Sequence, residues 1–468
     1  MPHHLEERLY HRKMTRRDFL WLTSVSTTSV AVTGCAINPV TGNPQLMLID
    51  KEEEIQLDKK NSLHQFSTDY GPLQDQPLND YISEVGNQMA ALSHRQQMPY
   101  SFRGVNATYI NAYAFPGGSI ATTRGILLAI KNEAELAGLL GHELGHVNAR
   151  HTASHMSKGM LIVGALAAGV AVVNIAGENS KFAIFISLLG QIGAGMLLAH
   201  YSRNDERQAD ALGMEYMTKA EYNPQGMVGL MELLKTMSKH KPPSTLEMML
   251  KTHPLSSERY QTAKDSANTQ YRAMKKIPLN RDRYMDNTAK LRDIKDAIEA
   301  MQRGEQEMAN QQFQAAEQHF NQALQDAPED YAALVMMAKC KIAQEKPNEA
   351  LQYAVKAEQV YPKEAQAHHL NGIANMMMNQ FDAAYQNFAD YEQMLPGNPN
   401  TIFLKGAALE GMQDKQAATI EYNRFLEMVE QKPPAATTKS ISSIKRVNQG
   451  NHVQYARERL IGWGYLKP

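Results

Sequence analysis

Apolar positions change their spacing several times along the chain. Between Lys131 and His155, Leu136, Leu139, Leu140 and Leu144 recur near the helical period of 3.6, which predicts a helix over that stretch. Upstream, Tyr100–Val105 and Tyr109–Thr123 read as strands, and helices are expected to dominate from there to about Gln270. Leu279–Thr288, with its Asn and Asp residues, reads as a linker. Two stretches, Met160–Ile175 and Phe182–Leu198, are almost wholly apolar and sit at the short end of membrane-helix length. Dense in Gly and Ala, they read as a helical hairpin, 160–198, lying beside a cleft or touching a lipid surface. The alternative is a hairpin that enters or spans the bilayer.

The C-terminal half repeats every 34 residues. Pro328, Pro362 and Pro396 keep that spacing, and so do Ala316, Ala350, Ala384 and Ala418, with Gly304, Ala338, Gly372 and Gly406 twelve positions before them. This is the tetratricopeptide period: small residues let paired helices approach, and Phe320, Phe388 and Tyr422 fill the gaps. About four repeats are expected over 297–432, after a linker and entry helix at 279–296. Residues 433–468 hold a break and a capping helix near Val453–Trp463. Such solenoids bind partners and rarely carry catalysis.

The first residues read as an address. Arg16-Arg17 precede a weakly apolar run from Trp21 to Val32, which resembles a twin-arginine export signal, with Met1 or Met14 as its start. The run ends in Val32-Thr33-Gly34-Cys35, similar to a lipobox, so residues 1–35 are read as a signal and Cys35 as the lipid attachment site. A periplasmic protein anchored to the outer membrane is the expectation. Lys+Arg at 48 against Asp+Glu at 49 excludes a nucleic-acid binder that relies on net positive charge. With two cysteines there is no disulfide scaffold and no Cys-rich zinc module. Cys340, inside a predicted helix, reads as a small buried apolar residue.

Chemistry concentrates between 36 and 278. His142-Glu143-Leu144-Gly145-His146 puts two imidazoles on one helical face, near enough to share one Zn2+ per chain, with Glu143 placed to take a proton from water. The slot six residues after His146 holds Thr152, and His151 and His155 read as polar positions at the helix end. Glu206 and Asp210, four apart on another predicted helix, supply a third ligand and an acceptor for a ligand histidine.

With these motifs in hand, the chain resembles the HtpX-type and CAAX-prenyl-protease-type zinc peptidases from about Asn38 to Asp265. Asn111-Ala112-Tyr113-Ala114 resembles the substrate-pairing edge strand of that family. In Thr252-His253-Pro254, His253 is the candidate for holding the oxyanion or for filling the fourth metal position at rest, with Arg259 a weaker companion. The resemblance implies a mainly α, zincin-type (gluzincin) domain with a small β-sheet, followed by the α-solenoid. It implies a zinc endopeptidase acting on unfolded or misassembled envelope proteins, with the repeats docking clients or outer-membrane assembly machinery. The alternatives are a chaperone or scaffold with a self-inhibited zinc site, and a membrane-embedded protease.

Overall fold

A computed structural model describes residues 35–158, 201–238, 244–430 and 452–466. The export signal before Cys35, the apolar hairpin 160–198 and the break at 433–451 lie outside the described residues. Among the described residues, no helix is long and apolar enough to cross a membrane.

The chain opens with a short antiparallel hairpin, β1 (Cys35–Ile37) and β2 (Pro44–Leu46). Helices α1 (Lys51–Thr68) and α2 (Gln76–Ala90) precede a three-stranded sheet of β3 (Ser101–Val105), β4 (Ala112–Ala114) and β5 (Ser119–Thr123). Its order is β3-β5-β4, with β3 parallel and β4 antiparallel to β5, so β4 is an edge. The single strand expected over 109–123 is therefore two strands. Gly118, at φ +108°, turns the chain between them in a conformation closed to most side chains.

After α3 (Arg124–Ala129), the motif helix α4 (Glu133–Asn148) begins at Asn132, whose side chain accepts from the Glu135 amide. The continuous helix expected to His155 breaks at Arg150, which takes φ 59°, and a new helix, α5, runs over 151–158. The Arg150 side chain explains the break: Nε donates to Glu54 and Nη2 to the Ile49 carbonyl, which pulls the backbone out of register. Helices α6 (Arg203–Lys219), α7 (Gln225–Ser238), α8 (Ser244–Thr252) and α9 (Ser257–Asn268) complete this part.

The stretch 279–288, read as a linker, is largely helical. It forms α10 (Arg281–Asn287), followed by α11 (Ala289–Asp293), and Tyr284 is fully buried with its hydroxyl donating to the Leu127 carbonyl. Four helix pairs follow: α12 (Lys295–Ala309) with α13 (Phe313–Asp326), α14 (Tyr331–Ala343) with α15 (Pro347–Val360), α16 (Gln366–Met377) with α17 (Phe381–Met394), and α18 (Pro399–Gly411) with α19 (Lys415–Glu430). A helix over 452–462 packs Ala456 and Leu460 onto the last pair.

The repeat spacing has a packing cause. An added Cβ would stand 2.3 Å from the Phe320 ring at Gly304, 2.4 Å from Phe388 at Gly372 and 2.7 Å from Tyr422 at Gly406. One apolar core runs from Tyr70 through Leu136, Leu140, Tyr284 and Ile298 to Met337 and Leu370, so the sheet-and-helix part and the first repeats share a single interior. A second core around Phe403, Tyr422 and Phe425 holds the last pair.

Candidate metal centre

The motif helix α4 is buried along its whole length, and α6 lies against it. Glycines set how close the two helices come. A Cβ on Gly145 would stand 2.9 Å from the Ala209 carbonyl oxygen, and one on Gly213 would stand 2.8 Å from the His142 amide nitrogen. At that separation the outward pairs of both helices meet. His142, His146, Glu206 and His253 each offer a ligand atom, all within 4.8 Å of one another.

Within the cluster, His142 Nε2 is 3.1 Å from His146 Nε2 and 3.3 Å from His253 Nδ1. Glu206 Oε1 lies 3.3 Å from His146 Nε2 and 3.1 Å from His253 Nδ1. Three imidazole nitrogens and a carboxylate crowded at these distances have too few protons to satisfy one another, which is the electronic environment a divalent cation fits. Glu143 stands beside them, fully buried, and neither of its oxygens has a hydrogen-bond partner among the described residues. Its nearest basic neighbour is His253 Nε2, 3.6 Å from Oε1.

Charge follows from burial and neighbours. Burial pushes the Glu143 carboxyl above its ordinary range, against the pull of His253 and His142. For Glu206 burial works in the same sense, but attraction to His253 and hydrogen bonds from His146 and His253 win, holding it far below the usual carboxylate range. Burial keeps His146 neutral, which is the state that offers a lone pair.

Around this cluster sit groups that aim it. His142 Nδ1 is 2.9 Å from Asp210 Oδ1. Arg259 grips Asp210 with Nε and Nη2 at 2.6 and 2.7 Å, and its Nη1 reaches Glu206 Oε2 at 2.6 Å. Sequence reasoning gives Arg259 little weight, yet it joins both acidic residues of α6. One signal is readable: a basic residue in the first turn of α9, where the helix dipole disfavours it, needs an anion nearby. His253 follows the end of α8 and holds its turn through an amide hydrogen bond to the Met249 carbonyl.

His151 reads from the sequence as a polar helix-end position, but it is buried with Nδ1 3.0 Å from His146 Nδ1. Tyr201 stacks on the His146 ring, centroids 3.8 Å apart, and its hydroxyl meets Thr152 at 2.9 Å. His155 instead pairs with Asp205 at the surface end. The proposed substrate strand, β4, packs against α4 as the sheet edge. Asn111, Ala112 and Tyr113 are buried and Ala114 is half-buried. The Asn111 Oδ1 atom has no hydrogen-bond partner among the described residues.

Comparison with known proteins fits this geometry. The sequence pattern of peptidase family M48 matches residues 76–267, and that of the tetratricopeptide repeat matches 307–372. The chain is 32% identical over 202 residues to a "Beta-barrel assembly-enhancing protease" of Yersinia pestis, covering 42% of this chain and 40% of that relative. It is 33% identical over 167 residues to "Metalloprotease YcaL" of Escherichia coli (strain K12), covering 36% of this chain and 62% of that one. The chain thus spans about 40% of the length of the first relative. Among solved structures, a thermophilic tetratricopeptide-repeat protein of Thermus thermophilus matches 36% of this chain and 93% of its own at 16% identity, with a TM-score of 0.28.

Proposed function

We propose that this chain, in which an M48 peptidase domain precedes tetratricopeptide repeats, is a zinc-dependent endopeptidase of the bacterial envelope that degrades misfolded or stalled outer-membrane proteins. One observation carries the reading: four side chains able to ligate a metal converge beside a buried carboxylate that makes no hydrogen bond among the described residues. His142, His146 and Glu206 would hold one zinc ion, which when bound would supply the Lewis acidity that lowers the pKa of water toward neutral. Glu143 takes the proton of the attacking water and returns it to the leaving amine, a double task that suits a carboxyl raised by burial. Asp210 holds His142 in the required tautomer, and Arg259 holds Asp210. An extended substrate pairs with the edge of β4 through its backbone.

His253 would fill the fourth position at rest, its Nδ1 lying 3.3 Å from His142 Nε2 and 3.1 Å from Glu206 Oε1. The repeats dock clients or assembly machinery, a role supported by the name of the Yersinia pestis relative. Lipid on Cys35 anchors the chain to the outer membrane. The hairpin that starts at Cys35 leans on the motif region, with Asn38 Nδ2 3.4 Å from the Ala149 carbonyl.

The test is zinc content and cleavage of an unfolded protein, measured on wild type and Glu143→Gln. One zinc per chain in both is expected, with turnover falling about 10²–10⁴-fold in the variant. Undiminished turnover in the variant would remove Glu143 from the chemistry.

A further inference from the structure

The outer face of the second motif histidine carries an arrangement the proposed reaction has not used. His146 turns Nε2 toward the ligand cluster and Nδ1 toward His151 Nδ1, 3.0 Å away. Two imidazole nitrogens at that distance share one proton, so one donates and the other accepts. The direction is decided at the far ends. A histidine that lends Nε2 to a cation must keep its proton on Nδ1. His151 must then accept at Nδ1 and carry its own proton on Nε2. That nitrogen has acceptors waiting: Gln208 Oε1 at 3.0 Å and Asp205 Oδ1 at 3.6 Å. Both acceptors stand on α6, one turn or less from Glu206.

We infer that His151 is a positioning residue for the metal centre, accepting the Nδ1 proton of His146 and thereby fixing that ring with Nε2 aimed inward. The inference rests on the metal-centre reading and deepens it. Asp210 does this for His142 from α6, and His151 does it for His146 from α5. The chain His146–His151–Gln208 also closes a loop: it ties a ligand on α4 to the helix that brings Glu206. Tyr201, stacked on His146, fixes the ring plane and leaves rotation about that plane to the hydrogen bond.

Zinc affinity of the full chain, by competition with a chromophoric chelator, tests this together with the thermal midpoint of the metal-free protein. His151→Leu is expected to loosen zinc about 10–100-fold. His151→Asn places Oδ1 near the former Nδ1 and is expected to recover most of that loss, with the metal-free midpoints of the two variants alike. Leucine and wild type binding zinc equally, or asparagine behaving as leucine does, each overturns the role of His151 while the metal centre stands. A wild-type chain that takes up no zinc overturns both readings.

Discussion

His253 reaches into the cluster that the motif helices build, and this position makes an opposed pair of outcomes measurable. Its Nδ1 is 3.3 Å from His142 Nε2 and 3.1 Å from Glu206 Oε1, close enough to take the fourth metal position proposed for it. His253→Ala is therefore expected to raise turnover of an unfolded protein; a fall in kcat would assign the residue to the oxyanion. A second prediction concerns Lys339, buried with its Nζ over the Tyr70 ring and bonded to Gln366. Burial pushes its pKa from 10.5 down to about 7. Between those values the unfolded chain binds a proton that the folded chain does not, so stability rises with pH from about 7 to 10.5. Lys339→Met removes this slope and is expected to stabilise by roughly 1–4 kcal/mol at pH 7, the gain shrinking toward pH 10 in urea titrations. The residues legible in advance were those set four apart on one helix, His142 with His146 and Glu206 with Asp210. Arg259 and His151 were not, because each works through a neighbour from another element. Five positions along a straight helix lie about 140° apart, so His151 faces His146 only because Arg150 breaks the helix.

Between elements, the contact of α4 with α6 fixes the ligand geometry. Gly213→Ala places a methyl 2.8 Å from the His142 amide, against backbone that cannot rotate away. It is expected to cost about 1–3 kcal/mol in thermal or urea unfolding and to weaken zinc binding with no ligand altered. Glycine at these positions was visible in the sequence, but the partner of each was not. The repeat helices were legible from their 34-residue period, since each glycine faces a ring sixteen residues on, as Gly304 faces Phe320. Their turns were less so. Gln311, Glu345, Asn379 and Gln413 all take positive φ, one per repeat, at positions where no glycine announces it. The stretch 279–288 misled because Asn and Asp usually mark loops; burial of Tyr284 overrode that preference.

Across the whole molecule, the two parts meet through buried polar pairs and a shared apolar interior. Arg124 on α3 pairs with Asp330 at the start of α14, and Glu305 on α12 takes the hydroxyls of Thr108 and Tyr70. Asp330→Asn keeps the helix cap but strands a buried guanidinium, and is expected to lower stability by about 3–5 kcal/mol in calorimetry. The same continuity predicts that the elements sharing the core from Tyr70 to Leu370 melt in one transition, with the last helix pair, on its own core, free to melt apart. None of this seam was readable beforehand, since its partners lie some two hundred positions apart in the chain. A solenoid welded on in this way cannot swing like a tethered arm. Under the proposed function, a client docked on the repeats would reach the metal centre at a set offset, so the joint would act as a ruler and fragment lengths should cluster instead of spreading.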